Sequence, residues 1–356
     1  MKKVFDTHIH STQKVSVENS IAVYQKIFTW TGVEKALFLG LPQDSKGHTD
    51  HSQNLKTLFY KQYFGGYGFY GLSHDTSLTD AETEKDFLRQ AQKAFSAGFD
   101  GVKILDGKPS MRRIYKRLLS DPVYDKFYSF MEECGLPITL HNADPAQFWD
   151  ISKMTPYAME HGWYCGDGLS KDELFEDVMQ VMKKHPKLHL TLAHFGFTGD
   201  NIEQAQRFLG GYEYTMFDTT PNTESYFDML GDWETWHAFF KKYSDRFKYG
   251  ADTYNFEAKD EEELKVLSTR RPYFQRRFFE TADKYEFGKQ EFLGINLEAD
   301  ILDKIYMQNA EREYGEPKKI DDEYVIRTLE NLQKTYRECD FIFEDLRFIQ
   351  KNYNFD

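Results

Sequence analysis

The stretch VFDTHIH, residues 4–10, decides how the rest of the chain is read. Val, Phe, Thr and Ile favour a strand, and side chains alternate along a strand. His8 and His10 therefore leave one face, about 7 Å apart along the backbone. Ile9 between them faces the other way, toward the outer helices. Asp6 has the histidines' parity one step deeper, where a buried carboxylate would orient an imidazole. Two neutral imidazoles converging from one strand end can share a cation, but a His-x-His pair alone is a weak signal and needs companions.

The companions lie downstream. Short apolar segments run over Lys3–His10, Glu34–Pro42, Gly65–His74, Phe99–Asp106, Leu136–Asp144, His189–Phe197, Tyr212–Thr220 and Phe247–Tyr254. Longer amphipathic segments separate them, among them Asp80–Ala97, Pro122–Cys134 and Lys171–Lys184, the first two followed by Gly98 and Gly135, which suit left-handed helix closure. This βαβα rhythm implies a parallel sheet covered by helices, and about eight strands imply an α/β protein of the (β/α)8, or TIM, barrel type. The fifth segment, LPITLHNAD, carries His141 near its end; the sixth, HLTLAHFGF, carries His194; the eighth, RFKYGADTY, carries Asp252. Each is an ionisable residue at the carboxyl end of a largely apolar strand, where a barrel opens. Burying several such groups together without a cation would leave unpaired polar atoms, and coordination would satisfy them.

Beyond Tyr254 the pattern reads as wholly helical, over Lys259–Lys265, Ala299–Tyr314 and, after Pro317, Asp321–Lys351. A barrel over residues 1–315 and a helical extension over 316–356 follow. In the extension Val325, Leu329, Leu332, Tyr336 and Cys339 recur at helical spacing, a face that packs on the barrel or on a second subunit of a homodimer. The long segments Gly107–Asp121 and Asp144–Ser170 follow strands four and five, where such loops build a substrate pocket. Arg112 there suits a substrate carboxylate, and Trp149 a pocket wall.

The 356 residues, 40% hydrophobic and 29% charged, suit a globular domain with a sizeable core. A net charge of −13 argues against broad nucleic-acid or anionic-membrane surfaces and leaves a small molecule as the expected partner. No apolar signal-peptide core follows the two N-terminal lysines, and Cys134, Cys165 and Cys339 form no disulfide framework, so a reducing cytoplasm is expected.

The order Asp-x-His-x-His, His, His and Asp on strands one, five, six and eight resembles the amidohydrolase superfamily. The segments GFDGVKIL, LTLAHFG, FKYGADTY and IYMQNAEREYG are similar to its amidohydrolase 2 branch, which includes aminocarboxymuconate-semialdehyde decarboxylase; the likeness covers roughly residues 1–315. The resemblance implies one divalent ion, Zn²⁺ by ligand type, on His8, His10, His141 and Asp252. It implies Asp252 as general base toward a metal-activated water, and His194 as the group that orients the water or stabilises an oxyanion. Lys103 on strand four would face a substrate carboxylate; in binuclear relatives that lysine is instead a carbamate bridging two ions. The implied reaction is hydrolysis of an ester, lactone or amide bond of a small carboxylate-bearing substrate, the alternative being non-oxidative decarboxylation at the same site.

Overall fold

The structure is a computed structural model that describes residues 1–10, 15–41, 52–221, 223–255, 257–287, 290–336 and 341–355; Pro42 and Cys339 lie outside the described residues. Nine strands form one parallel sheet: β1 (Val4–His10), β2 (Val33–Leu39), β3 (Tyr67–Gly71), β4 (Gly101–Ile104), β5 (Ile138–Leu140), β6 (Leu190–Leu192), β7 (Thr215–Asp218), β8 (Phe247–Lys248) and β9 (Thr253–Tyr254). β1 to β8 pair in sequence order, and β9 pairs with β1, so the run 247–254 bridges the two edges and closes a barrel. The eighth strand expected over Phe247–Tyr254 is thus two short ones. Between them the Tyr249 carbonyl accepts from the Thr7 N–H at 2.9 Å, and Gly250 lies so close to β1 that a Cβ there would meet the Cβ of His8 at 2.9 Å.

Alternation sorts the strand residues. Val102, Ile104, Ile138, Leu140, Leu190, Leu192, Phe217 and Phe247 join the core shared with the helices. Lys103, Thr139, Thr191, Asp218 and Lys248 have the opposite parity and are all buried inside the barrel. A second, smaller apolar cluster of Phe5, Leu37, Leu39, Tyr67, Phe69 and Ala310 packs inside the barrel. Tyr314 meets Phe5 and Phe69 edge-on at 5.7 and 5.6 Å between centroids. Each such buried ring contributes roughly 2–3 kcal/mol.

β1 is not regular. Asp6 pairs with Ala36 and Ile9 with Phe38, so three steps on β1 oppose two on β2. This bulge re-aims the strand. Phe5 belongs to the inner layer and Ile9 to the outer core, while His8 and His10 reach the barrel mouth.

The covering helices have the expected chemistry. Helix 171–184 opens with a capping box, the Ser170 N–H donating to Glu173 at 2.8 Å and the Glu173 N–H to Ser170 Oγ at 3.2 Å. Gly98 and Gly135 take φ of +84° and +59°, as helix closure requires. Beyond Tyr254 the chain is not wholly helical. Lys284–Phe287 and Gln290–Leu293 form an antiparallel hairpin because Tyr285 and Phe292 alternate inward against Phe274, with Lys284 and Glu291 outside. The helix expected near 259–265 extends over Glu261–Glu280. No helix among the described residues is long and apolar enough to cross a membrane.

The terminal helices Asp322–Thr335 and Phe341–Asn352 pack beside helices 53–64 and 17–31. Asp345 carries much of this. Its carboxylate meets buried Lys56 at 2.8 Å and accepts the Val17 N–H, at the start of helix 17–31, at 2.8 Å. Removing one partner of a buried pair typically costs about 3–5 kcal/mol. Asp345→Ala is therefore expected to lower the urea midpoint by a loss of that size in one cooperative transition. A loss under about 1 kcal/mol would show that the terminal helix unfolds independently.

Candidate metal centre

His8 and His10 meet at the barrel mouth with their Nε2 atoms 3.0 Å apart. What the other ring nitrogens do fixes the chemistry of that contact. His8 Nδ1 lies 2.8 Å from Asp218 Oδ2 at the end of β7, and His10 Nδ1 lies 3.2 Å from the Leu39 carbonyl at the end of β2. Carboxylate and carbonyl only accept, so each Nδ1 carries the proton and each Nε2 presents a lone pair. Both rings are neutral. Burial, reinforced by Lys103, lowers His10 to about 4 and pushes His8 well below the usual imidazole range. Two buried lone pairs at 3.0 Å repel unless a cation lies between them. Two nitrogens each about 2.1 Å from a metal, at roughly right angles, would be about 3 Å apart.

Asp252 supplies a third donor, its Oδ1 3.9 Å from His8 Nε2 and 4.0 Å from His10 Nε2. Both distances are within the roughly 4.2 Å that two ligands of one ion can span. These three donors form the group of metal-capable atoms that lie within 4.8 Å of one another among the described residues. Asp252 is the last residue of the break in strand eight, with φ of +53°, and its side chain turns back to the β1 imidazoles. Arg271, from helix 261–280, donates to Asp252 Oδ2 at 2.6 Å and to its carbonyl at 3.2 Å. Burial favours the neutral carboxyl, but Arg271 and the surrounding imidazoles outweigh it and hold Asp252 well below the usual range.

His194 does not end a strand. β6 stops at Leu192, and His194, Phe195, Gly196 and Phe197 all take φ between +55° and +58°, a left-handed turn. Asp218 Oδ1 accepts the His194 N–H at 2.8 Å and Asn142 donates to the Gly196 carbonyl at 3.0 Å, which hold the turn. The His194 ring lies 5.3 Å from that of His8 and 5.1 Å from that of His141; its buried Nδ1 has no hydrogen-bond partner. Burial lowers His194 to about 3. Lys103 is fully buried, its Nζ has no hydrogen-bond partner, and burial lowers it to about 8 despite Asp218 and Asp252 nearby.

The other expected residues are placed differently. His141 is not in the three-donor group; its Nε2 lies 3.4 Å from Asp144, and its ring rests on Phe197. Asp6 orients no imidazole. The bulge turns it to the backbone, where it accepts from the N–H groups of His8 (3.1 Å) and Ala251 (3.0 Å) and from Thr253 Oγ1 (2.8 Å), tying β1 to strand eight. Arg112 is spent on buried Asp177, which also accepts from the Leu119 and Ser120 N–H groups. Trp149 donates to the Leu169 carbonyl at 2.8 Å within the 146–169 wall. Asp218 and Arg271 were not anticipated. Asp218 ends the apolar run TMFD, the same strand-end signal that marks His141 and Asp252; nothing in the spacing of TRRPYFQRR singles out Arg271.

A closed parallel barrel with an imidazole pair and a carboxylate at its carboxyl rim defines the class of mouth-sited barrel enzymes. The amidohydrolase-2 family model, described as Amidohydrolase, matches residues 77–315, and the chain belongs to that metal-dependent family. An uncharacterised TIM-barrel protein from Bordetella bronchiseptica is 11% identical, with 89% of this chain and 99% of that one covered at a TM-score of 0.54. 4-Oxalomesaconate hydratase from Rhodopseudomonas palustris is 14% identical over 93% and 99% of the two chains, TM-score 0.52. 2,6-Dihydroxybenzoate decarboxylase from Rhizobium is 13% identical over 88% and 99%, TM-score 0.50. At these identities the likeness is one of fold. Comparison with curated protein sequences gives no match.

Because His8 depends on Asp218 for its tautomer, Asp218→Asn is expected to weaken divalent-metal affinity about 10–100-fold in chelator competition. Unchanged affinity would remove Asp218 from the site. Protons should compete with metal for His10 only near its lowered value of about 4. Metal affinity is therefore expected to change little between pH 7.5 and 5.5, where two ordinary imidazoles would lose about 10²-fold.

Proposed function

We propose that this protein is a metal-dependent hydrolase acting on an ester, lactone or amide bond of a small, carboxylate-bearing substrate. The confronted Nε2 lone pairs of His8 and His10, 3.0 Å apart beside the unpaired ammonium of Lys103, carry this reading. His8, His10 and Asp252 would hold a divalent ion, Zn²⁺ by donor type, which supplies a Lewis acid and lowers the pKa of water.

The chain's own residues divide the remaining work. Asp252, kept ionised by Arg271, is the base within the site that accepts a proton from water. His194, neutral and fixed through its backbone to Asp218, offers Nδ1 to the reacting oxygen. Lys103 is cationic at pH 7 with its folded value near 8, and it pairs with the substrate carboxylate. Asp144, raised to about 6 by burial, is mostly ionised at pH 7 but keeps a protonated fraction of roughly one in ten, far above that of an ordinary carboxyl, and that acid form can deliver a proton to a leaving group.

Asp144 also supports a second reading, loss of carbon dioxide from a carboxylated ring. There the carbon–carbon bond breaks and the ring carbon takes the proton. The Rhizobium decarboxylase, named for 2,6-dihydroxybenzoate, shares the fold.

A panel of lactones and carboxylated aromatics, with acid and carbon dioxide followed separately on metal-loaded protein, decides between the readings; no product from any member would sink both. On the substrate turned over, Lys103→Met is expected to lower kcat/KM about 10²-fold, close to 3 kcal/mol, with metal content unchanged. An unaffected kcat/KM would remove Lys103 from substrate binding.

A further inference from the structure

Where strand eight breaks, the sheet ladder stops and its backbone polar groups need other partners. β7 and β8 pair as far as Asp218 and Lys248, and the Thr219 N–H still donates to the Lys248 carbonyl at 2.8 Å. Beyond that point a side chain from helix 261–280 takes over. Gln275, fully buried, sets its Nε2 2.6 Å from the Thr219 carbonyl, 2.5 Å from Thr219 Oγ1 and 3.1 Å from the Gly250 carbonyl. Carbonyls only accept, so the amide nitrogen faces the two strands and its N–H groups bridge them. The other end of the amide has no such fit: Oε1 is buried with no hydrogen-bond partner among the described residues. An orphaned buried acceptor costs stability, so packing does not account for a glutamine at this position, whereas its two donors do.

The two bridged residues are neighbours of the carboxylates that build the site. Thr219 follows Asp218, which fixes the His8 tautomer, and Gly250 lies two residues before Asp252, the third donor. We infer that Gln275 is a positioning residue for the metal centre: its amide sets the spacing between the exits of β7 and strand eight, and so between His8 and Asp252, where the broken ladder cannot. The inference rests on the metal-dependent reading proposed above. Gly250 bounds the same spacing from the other side, since a Cβ there would lie 2.5 Å from Thr220 Oγ1 and 2.9 Å from the Cβ of His8. Arg271, one helical turn before Gln275, donates to the Asp252 carboxylate itself. Helix 261–280 thus reaches the site at two points, with Arg271 acting on the charge of Asp252 and Gln275 on its place.

The test follows Zn²⁺ affinity of the full chain by chelator competition and, in the metal-free protein, solvent exchange of the His8 Nδ1 proton by NMR, that resonance being assigned by its absence from His8→Ala. Gln275→Met keeps the volume and loses the bridge. Tyr226→Phe is the control, because it removes the other buried donor to the Thr219 carbonyl, at 2.6 Å, and leaves the bridge intact. Gln275→Met is expected to bind Zn²⁺ at least about tenfold more weakly and to exchange the His8 proton at least about tenfold faster, with Tyr226→Phe within about twofold of wild type on both. Should Gln275→Met fail to fold, Gln275→Glu takes its place with the same losses expected, since a buried carboxylic acid has one donor and serves only one strand. Unchanged affinity and exchange in the folded Gln275 variant, or equal losses in Tyr226→Phe, would overturn the inference. Absence of Zn²⁺ binding by the wild type would instead remove the metal reading, and the proton exchange would then decide by itself whether Gln275 positions His8.

Discussion

The carboxylate of Asp218 is the constraint on which the mouth of this barrel depends. One oxygen accepts the hydrogen bond from His8 Nδ1–H; the other accepts from the backbone N–H groups of His194 at 2.8 Å and Thr220 at 3.1 Å. Three elements are fixed by one group: the tautomer of the first imidazole, the turn that presents His194, and the exit of β7. His10 is set in the same manner by the Leu39 carbonyl, which β2 places through its pairing with β1. The lone pairs therefore confront each other because barrel hydrogen bonds leave the rings no other orientation. Such outer partners govern a metal site as much as the ligands themselves.

Holding that arrangement stores strain. Three non-glycine residues in the turn, His194, Phe195 and Phe197, and Asp252 at the end of the strand-eight break, all take the left-handed region, at about 1–3 kcal/mol each. The positions coincide with the two functional side chains that must point back over the barrel axis. A relaxed backbone would carry His194 or Asp252 away from the imidazole pair. The well-packed outer core, in which Phe195 is fully buried against Tyr226, Phe240 and Phe247, supplies what offsets the strain.

The barrel was legible because its outward parity is apolar in nearly every strand, a local pattern that needs no knowledge of partners. The strand-end rule likewise marks His141, His194 and Asp252, since a polar residue closing an apolar run is visible in one window. What escaped depends on register between distant segments. The bulge in β1 exists only against β2 and turned Asp6 from an imidazole to the backbone; the split of strand eight falls where Gly250 packs closely on Thr220 and the Cβ of His8. Arg271 reaches Asp252 across nineteen residues of loop and helix, and no periodicity encodes that approach. Arg112, in the expected loop, was already claimed by Asp177 on helix 171–184, a partner sixty-five residues away.

Charge explains why a chain so acidic overall would keep unpaired cations inside. At physiological ionic strength the field of the surface carboxylates is screened within about 8 Å, so it neither draws nor repels a substrate already at the mouth. What acts there is local. Lys103 is desolvated and has no hydrogen-bond acceptor, and burial depresses it to about 8. Asp218 and Asp252 lie close enough to keep it cationic without giving it a hydrogen bond. On the reading proposed above, an anionic group arriving at Lys103 supplies that missing bond, whereas a neutral analogue of the same shape leaves a buried ammonium unsatisfied. Discrimination of that kind is stronger than packing alone provides, because it rests on the penalty for leaving a polar group unpaired and not on the gain from filling space.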